Sequence, residues 1–323
     1  MSGSMNSSSA PRASADVRRR LLVVVNPTAG RRRSRMLAAV RTALERSGAT
    51  LSLYETRFRG DAENHLAATS LAGFDAVVVA GGDGTINECL NGLMRRSDTP
   101  PPLGLIPMGT ANVLAHELDL VKSPDEIAAT LVGGSARAIH LGRANDRYFA
   151  MMAGVGLDAH VVAHIDAKTK RLLGKAAYAL ETWRQMAINR FPGYTAIADG
   201  AAAQGGAMIA AKGHFYAGRF VCAKDAKLTD PHLHLCVFSN NGGWAALGYG
   251  AALLFNRVPH LRSVKILPAR EITVHGPPGD PVQADGDIVA HLPVKLSVAE
   301  KTVAVIVGNS MRPNPFPSGR GSG

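Results

Sequence analysis

The chain is short of cysteine, aromatics and long apolar runs, and each shortage closes a class of explanation. Cys89, Cys222 and Cys236 are the only cysteines in 323 residues; they form no CxxC pair and leave an odd thiol. That excludes a disulfide framework or a zinc ribbon and fits a reducing cytoplasm. Aromatics make up 5% of the residues, too few for the stacking platforms of single-stranded nucleic-acid binders. The longest uninterrupted apolar stretches, such as Leu21 to Val25 and Trp244 to Phe255, are shorter than the roughly 18 residues of a membrane span. The Ser-rich start has no apolar segment of the kind a signal peptide carries. Acid is nearly missing from residues 1–35, where eight arginines face Asp16 alone, so +7 of the net +11 lies there and the body is near +4. A nucleic-acid binder would rest on this start and on little else.

The remaining composition is globular: 46% hydrophobic and 19% charged, with length for about two domains. Residues 1–17 are Ser, Ala and Pro rich and read as a disordered lead-in. From Leu21 apolar runs alternate with helical patterns. LLVVV is followed by a helix with Ser34 as N-cap and Leu37, Val40 and Leu44 on one face. Leu51–Tyr54, a helix from about Asp61, the fully apolar Ala76–Ala80, a helix striped by Ile86, Leu90, Leu93 and Met94, and Leu103–Ile106 come next. Strands apolar on both faces alternating with helices predict a doubly wound α/β domain with a mostly parallel sheet over residues 18–137. Short β-rich segments punctuated by Gly and Asp, namely Tyr148–Met152, Tyr194–Ala198, His214–Ala223, His232–Phe238, Glu271–Val274 and Val294–Val298, predict a mostly antiparallel second domain over 138–310. Two helical stretches interrupt it, Asp166–Asn189 and Trp244–Phe255, and 311–323 reads as a flexible tail.

Three segments of the first domain share one design, an apolar strand running into a Gly-, Asn- or Thr-containing loop and then a helix. They are Val23–Gly30 (VVVNPTAG), Val77–Asn87 (VVVAGGDGTIN) and Leu105–Ala115 (LIPMGTANVLA). In an open α/β sheet such loops converge beyond the carboxyl ends of the strands, where ligands bind. Gly81, Gly82 and Gly84 allow close backbone approach or positive φ, and a helix N-terminus favours phosphate. Thr85 and Thr110 add hydroxyls. Asp83 is the odd member, because a carboxylate beside phosphate is repelled unless it holds a cation, positions a hydroxyl or takes its proton, and a magnesium-linked role is the economical one. The loops match neither GxxxxGK[ST] nor GxGxxG with a later acidic residue, which argues against a dinucleotide dehydrogenase.

NPTAG, AGGDGTINE (Ala80–Glu88), IPMGTANVLA (Ile106–Ala115), AGVGLDA (Ala153–Ala159) and QADGD (Gln283–Asp287) together resemble the bacterial diacylglycerol kinase catalytic-domain family of soluble lipid kinases, relatives of the sphingosine kinases. The resemblance spans about Arg20 to Val307. It implies an α/β nucleotide-binding domain followed by a β-sandwich, with ATP and Mg2+ as cofactors and a lipid hydroxyl as phosphoryl acceptor. By matching positions it implies a nucleotide loop over Gly81, Gly82, Asp83, Gly84, Thr85 and Asn87, with Thr56 and Thr110 near the nucleotide and Asn26 supporting the crevice. It implies Asp285 as general base and Asp83 as the group organising the magnesium–phosphate end. Asp287 stands where many members have Glu. Read from the residues alone, Asp285–Gly286 between apolar segments is equally a tight hairpin turn. The family's structural cation site corresponds to Lys224–His232, where Lys224 and Pro231 replace the usual proline and glycine, leaving Asp230 as the metal-ligand candidate. His232 and His234 could share one strand face as solvated side chains.

The stretch Asp166–Asn189 mixes Lys168, Lys170, Arg171, Lys175 and Arg184 with Leu172, Leu173, Tyr178, Leu180 and Trp183. It reads either as a basic amphipathic helix for an anionic membrane or as a helix packed on the sandwich. Arg31, Arg32, Arg33 and Arg35 either attract a nucleotide or lipid headgroup or form a solvated helix start. The expected partner is a lipid substrate at a membrane surface. The expected location is cytoplasmic, peripheral at the inner membrane face, with no specific nucleic acid and with oligomeric state, a dimer included, left open. The rivals are an NAD kinase-like enzyme, disfavoured by Gly109–Ala115, and a non-catalytic nucleotide- or lipid-binding regulator.

Overall fold

The computed structural model describes residues 17–27, 31–120, 122–164, 184–185 and 192–309. The first unit follows the alternation of the sequence: β1 (Arg20–Val25), α1 (Arg31–Arg46), β2 (Thr50–Glu55), α2 (Asp61–Ala68), β3 (Ala76–Gly81), α3 (Asp83–Met94), β4 (Leu103–Pro107), α4 (Val113–Glu117) and α5 (Pro124–Gly133). The strands are parallel in the order β2-β1-β3-β4. Side chains of a strand alternate faces, and both sets are apolar here. Leu21, Val23, Val78 and Ile106 pack under Val40 and Leu44 of α1 and Ile127 and Leu131 of α5. Leu22, Val24, Val77 and Val79 pack under Leu66 of α2 and Ile86, Leu90 and Leu93 of α3. The doubly wound domain is therefore as expected. The helix with the Ser34 cap begins three residues earlier, at Arg31, because arginine propagates a helix readily.

The chain continues through β5 (Ser135–Ala144), β6 (Arg147–Phe149), β7 (Met152–Val155), α6 (Leu157–His164), β8 (Tyr194–Ala198), β9 (Ala201–Gly205), β10 (Ala207–Ala211), β11 (Phe215–Tyr216), β12 (Phe220–Val221), β13 (Leu233–Phe238), α7 (Gly243–Leu254), β14 (Val264–Ala269), β15 (Glu271–His275), β16 (Pro281–Ala284), β17 (Asp287–His291) and β18 (Val294–Val307). A six-stranded antiparallel sheet, β14-β13-β10-β7-β16-β17, faces β8, β15 and β18. Between them lie Val155, Met208, Leu235 and Val282 on one side and Ala196, Ile272, Val294 and Leu296 on the other. This is the expected sandwich. Strand β18 is longer than its predicted Val294–Val298, and its far end pairs in parallel with β4 at Val305–Leu103, so the first sheet runs on into the second unit. The expected division at residue 137 falls inside β5, which pairs along β18 from Ser135 to Ala144. The basic stretch Asp166–Asn189, apart from Arg184 and Gln185, lies outside the described residues, as do the lead-in up to Asp16 and the tail from Ser310.

Candidate functional site

In chain order the first four strands are 1-2-3-4, yet in the sheet they lie 2-1-3-4. The connections therefore leave β1 and β3 in opposite directions and open a crevice at their carboxyl ends. Asn26 stands at the end of β1, and its Nδ2 donates to Thr85 Oγ1 at 3.0 Å. Thr85 is buried, and Gly81 makes room for it: a Cβ there would lie 2.6 Å from Thr85 Cβ. Thr56, at the end of β2, is nearly buried and donates its backbone N–H to Val25. Gly82 touches the neighbouring loop, since a Cβ on Gly109 would be 2.8 Å from Gly82 Cα. Gly82 is extended at φ −95, and Gly84, in the first turn of α3, is not among the positive-φ residues. The glycines serve close approach and not the positive φ that the sequence also allowed.

Asp83 joins two loops. Its Oδ2 accepts the Asn112 N–H at 2.9 Å and its Oδ1 the Val113 N–H at 2.7 Å, so the carboxylate caps α4. Thr110, two residues before Asn112 in the second of these loops, is exposed. The GGDGT and MGTAN loops are thereby fixed as one wall of the crevice, with the start of α3 directed into it.

The opposite wall comes from the β16–β17 hairpin. Asp285 and Gly286 both have positive φ, 47 and 86, the two-residue turn that Asp-Gly favours. The turn turns its carboxylate inward. Asp285 Oδ1 accepts the N–H groups of Met151 and Met152 at 3.0 and 3.1 Å; Oδ2 accepts Ala150 N–H at 2.6 Å and Asn87 Nδ2 at 3.1 Å. A carboxylate has about four lone-pair sites, and all are used. Burial raises the Asp285 pKa while these four donors oppose the shift. Asn87, placed by the sequence at the nucleotide, here spends its amide on Asp285 and on Tyr148 O at 3.1 Å.

Three residues that the sequence reading passed over complete this junction. Asn91, 2% exposed, binds both Asn87 and the Tyr148 backbone. Its signal is the i,i+4 spacing from Asn87, which sets two amides one turn apart on one helix face. Arg59, in the loop after β2, pairs with Asp287 at 3.0 Å. Glu88 accepts the N–H groups of Gly60 and Ala62 at the start of α2 and faces both Arg59 and Asp287; burial raises its pKa. Asp287 is part-exposed, and a Cβ on Gly84 would lie 4.0 Å from its Oδ2. The carboxylate facing the glycine loop is thus Asp287, while Asp285 anchors the hairpin behind it. Buried Gln283 and part-buried Asp158 support the turn: Gln283 accepts Gly286 N–H at 3.1 Å and donates to Asp158 Oδ2 at 3.1 Å. Burial lifts the Asp158 pKa to about 6.

The expected cation site at Asp230 does not fit a divalent ion. Lys227 O there already accepts from Lys212 Nζ at 2.5 Å and from Asp230 N–H at 3.1 Å, and an ammonium repels a second cation. Among the described residues no three His, Cys, Asp or Glu side chains gather as a metal site. His234 is half-buried on β13, and burial lowers its pKa.

A parallel sheet with a glycine-lined crevice at its switch point, faced by a carboxylate hairpin of a β-sandwich, defines a protein of two units, a doubly wound α/β unit and an antiparallel sandwich. Residues 20–144 match the diacylglycerol kinase catalytic domain, and residues 151–307 match the YegS C-terminal NAD kinase beta sandwich-like domain. The first unit belongs to the diacylglycerol kinase catalytic-domain family, and the second matches the sandwich domain. The chain is 38% identical over 169 residues to the diacylglycerol kinase of Bacillus subtilis (strain 168), spanning 50% of this chain and 54%, about half, of that relative. It is 28% identical over 303 residues to that of Staphylococcus aureus (strain bovine RF122 / ET3-1), spanning 91% and 94%. The crystal structure of a diacylglycerol kinase from Bacillus anthracis str. Sterne shares the fold, with TM-score 0.72 at 23% identity over 90% of this chain and 98% of that one.

Proposed function

We propose that the protein is an ATP- and Mg2+-dependent lipid kinase that transfers the γ-phosphoryl group to a diacylglycerol-like hydroxyl. The observation that carries this reading is the meeting of the glycine loop with a sandwich-borne carboxylate, Asp287, across one crevice. The phosphates lie along Gly81–Thr85 at the α3 N-terminus, with Thr56 and Thr110 at the rim. Asp83 sets the spacing of the two loops. Magnesium, when bound with ATP, neutralises charge on the β- and γ-phosphates, and Asp287 is the carboxylate of this chain that faces the loop from the sandwich.

The acceptor oxygen bonds to the γ-phosphorus as the bond to the β-bridging oxygen breaks, ADP leaves, and the hydroxyl proton passes to Asp287 Oδ. Asp287 is proposed for this step in place of Asp285, because Asp285 has no lone-pair direction left for a new donor. Asp285 remains essential as the anchor that sets the hairpin. Arg59 holds Asp287 in the apo state and supplies positive charge beside the transferring phosphoryl.

Incubation with γ-labelled ATP, Mg2+ and a panel of diacylglycerol, monoacylglycerol, phosphatidylglycerol and sphingoid bases tests the proposal. Label in the diacylglycerol product is the expected result. Label in NAD and in no lipid would replace the proposal with the NAD kinase-like reading, and ATP binding without transfer to any acceptor would support the regulator.

A further inference from the structure

Helix α7 inverts the usual surface pattern. Its twelve residues carry no charge, and Trp244, Leu247, Ala251, Leu254 and Phe255, spaced as one helical stripe, point outward. Trp244 is 88% exposed, Phe255 77% and Leu254 62%. Tyr249, Ala252 and Leu253 hold the other side to the core, and Tyr249 meets Phe238 edge-on. The chain that follows the helix is cationic: no acidic residue occurs between Asp230 and Glu271, whereas Arg257 and Arg262, within eight residues of the end of α7, are exposed. The helix contacts β12, whose partner β11 rests on α4, the element that Asp83 caps. The stripe is thus joined to the crevice by three successive packing contacts.

We propose that α7 is the surface by which the protein lies on an anionic bilayer, Trp244, Leu254 and Phe255 entering the headgroup region and the neighbouring basic residues meeting lipid phosphates. This deepens the lipid-kinase reading, which requires access to a membrane-held substrate. The test is flotation with vesicles of phosphatidylglycerol and phosphatidylcholine, without ATP, alongside kinase assays on a soluble short-chain diacylglycerol. The Trp244→Ser/Phe255→Ser protein should lose about tenfold or more in vesicle affinity and keep its rate on the soluble lipid. In a Trp183→Phe background the remaining Trp244 should shift its emission to the blue on adding vesicles. Wild-type protein that fails to float, or a double variant that floats equally well, overturns the proposal. A dimer in sedimentation that the double substitution dissociates overturns it too, by assigning the stripe to a second copy. Vesicle binding without lipid phosphorylation would instead sink the kinase reading and leave the docking surface standing.

An independent observation concerns Lys212, whose side chain is fully buried. Its ammonium donates to Lys227 O and interacts with Asp230 and with Glu117 of α4. Glu117 in turn accepts the His214 and Phe215 N–H groups and contacts His214 Nδ1 at 2.5 Å. We infer that the Lys212 ammonium is a built-in cation, holding the Lys224–His232 loop in the place of a metal ion. Melting curves of the nucleotide-free protein in EDTA and in Mg2+ test it. Wild-type midpoints should agree within about 1 °C, whereas Lys212→Asn should melt at least about 5 °C lower in EDTA and recover part of that in Mg2+. A wild-type midpoint that falls on chelation overturns the inference whatever the variant does, and so does a Lys212→Asn protein as stable as wild type in EDTA.

Discussion

Asp285 and Asp287 sit two positions apart in one hairpin, and their surroundings separate them. The first is enclosed by four donors; the second is part-exposed and ion-paired to Arg59. Sequence could single out the pair, but the occupancy of each lone pair depends on residues 150–152 and Asn87, far away in the chain. Asn91 illustrates the same limit. As a second amide one turn after Asn87 it is visible in the sequence, but its partner, the Tyr148 backbone, is not. Asn91→Leu leaves the Tyr148 N–H without its acceptor, so urea unfolding should show a loss of about 1–3 kcal/mol. Asp158 gives a pH signature. Its folded pKa, about 6, lies above that of an unfolded carboxyl, so the folded state holds the extra proton in the window between about pH 4 and 6. The stability it contributes is complete below the unfolded pKa and is lost as the pH rises through 6. Relative to Asp158→Asn, the wild type should therefore lose about 2 kcal/mol between pH 4 and pH 7, measured by denaturant melts at each pH. A difference that does not change with pH would place the carboxyl in water.

Among the elements, α5 has the most explicit start signal. Ser123 accepts from Glu126 N–H, Glu126 reaches back to Ser123 N–H at 3.0 Å, and Pro124 occupies the first turn. Ser123→Ala should cost about 1 kcal/mol and lower the melting midpoint without altering ATP affinity, since α5 packs on the sheet face away from α3. The strands β1, β3 and β4 were legible because they are apolar on both faces. The second unit was legible as a texture and less so in its limits. Tyr148–Met152 reads as one strand, yet the chain breaks between β6 and β7, where residues 150–152 turn their N–H groups to Asp285. A ladder that surrenders three donors to a side chain cannot also pair them with a strand. Similarly, β18 continues past Val298 because its second half pairs with β4 and β5, a long-range match that no local pattern encodes.

At the scale of the molecule, the last strand of the sandwich completes the sheet of the first unit, and the Asn87–Asn91–Tyr148–Asp285 network ties the two units at the crevice. The carboxylate hairpin is therefore held at a fixed position opposite the glycine loop, which is what positioning for in-line transfer requires. That division of labour, Asp287 for the proton and Asp285 for the frame, is the central claim, and single-turnover kinetics with ATP binding on the two Asn variants test it most directly. Asp287→Asn should fold and bind ATP like wild type and lose about 10²-fold or more in phosphoryl transfer to diacylglycerol. Asp285→Asn should lower the melting midpoint, because an amide NH2 then opposes backbone N–H donors. A folded Asp287→Asn enzyme with near wild-type transfer, beside an Asp285→Asn enzyme of unchanged melting midpoint and abolished transfer, would contradict the account and return the proton to Asp285.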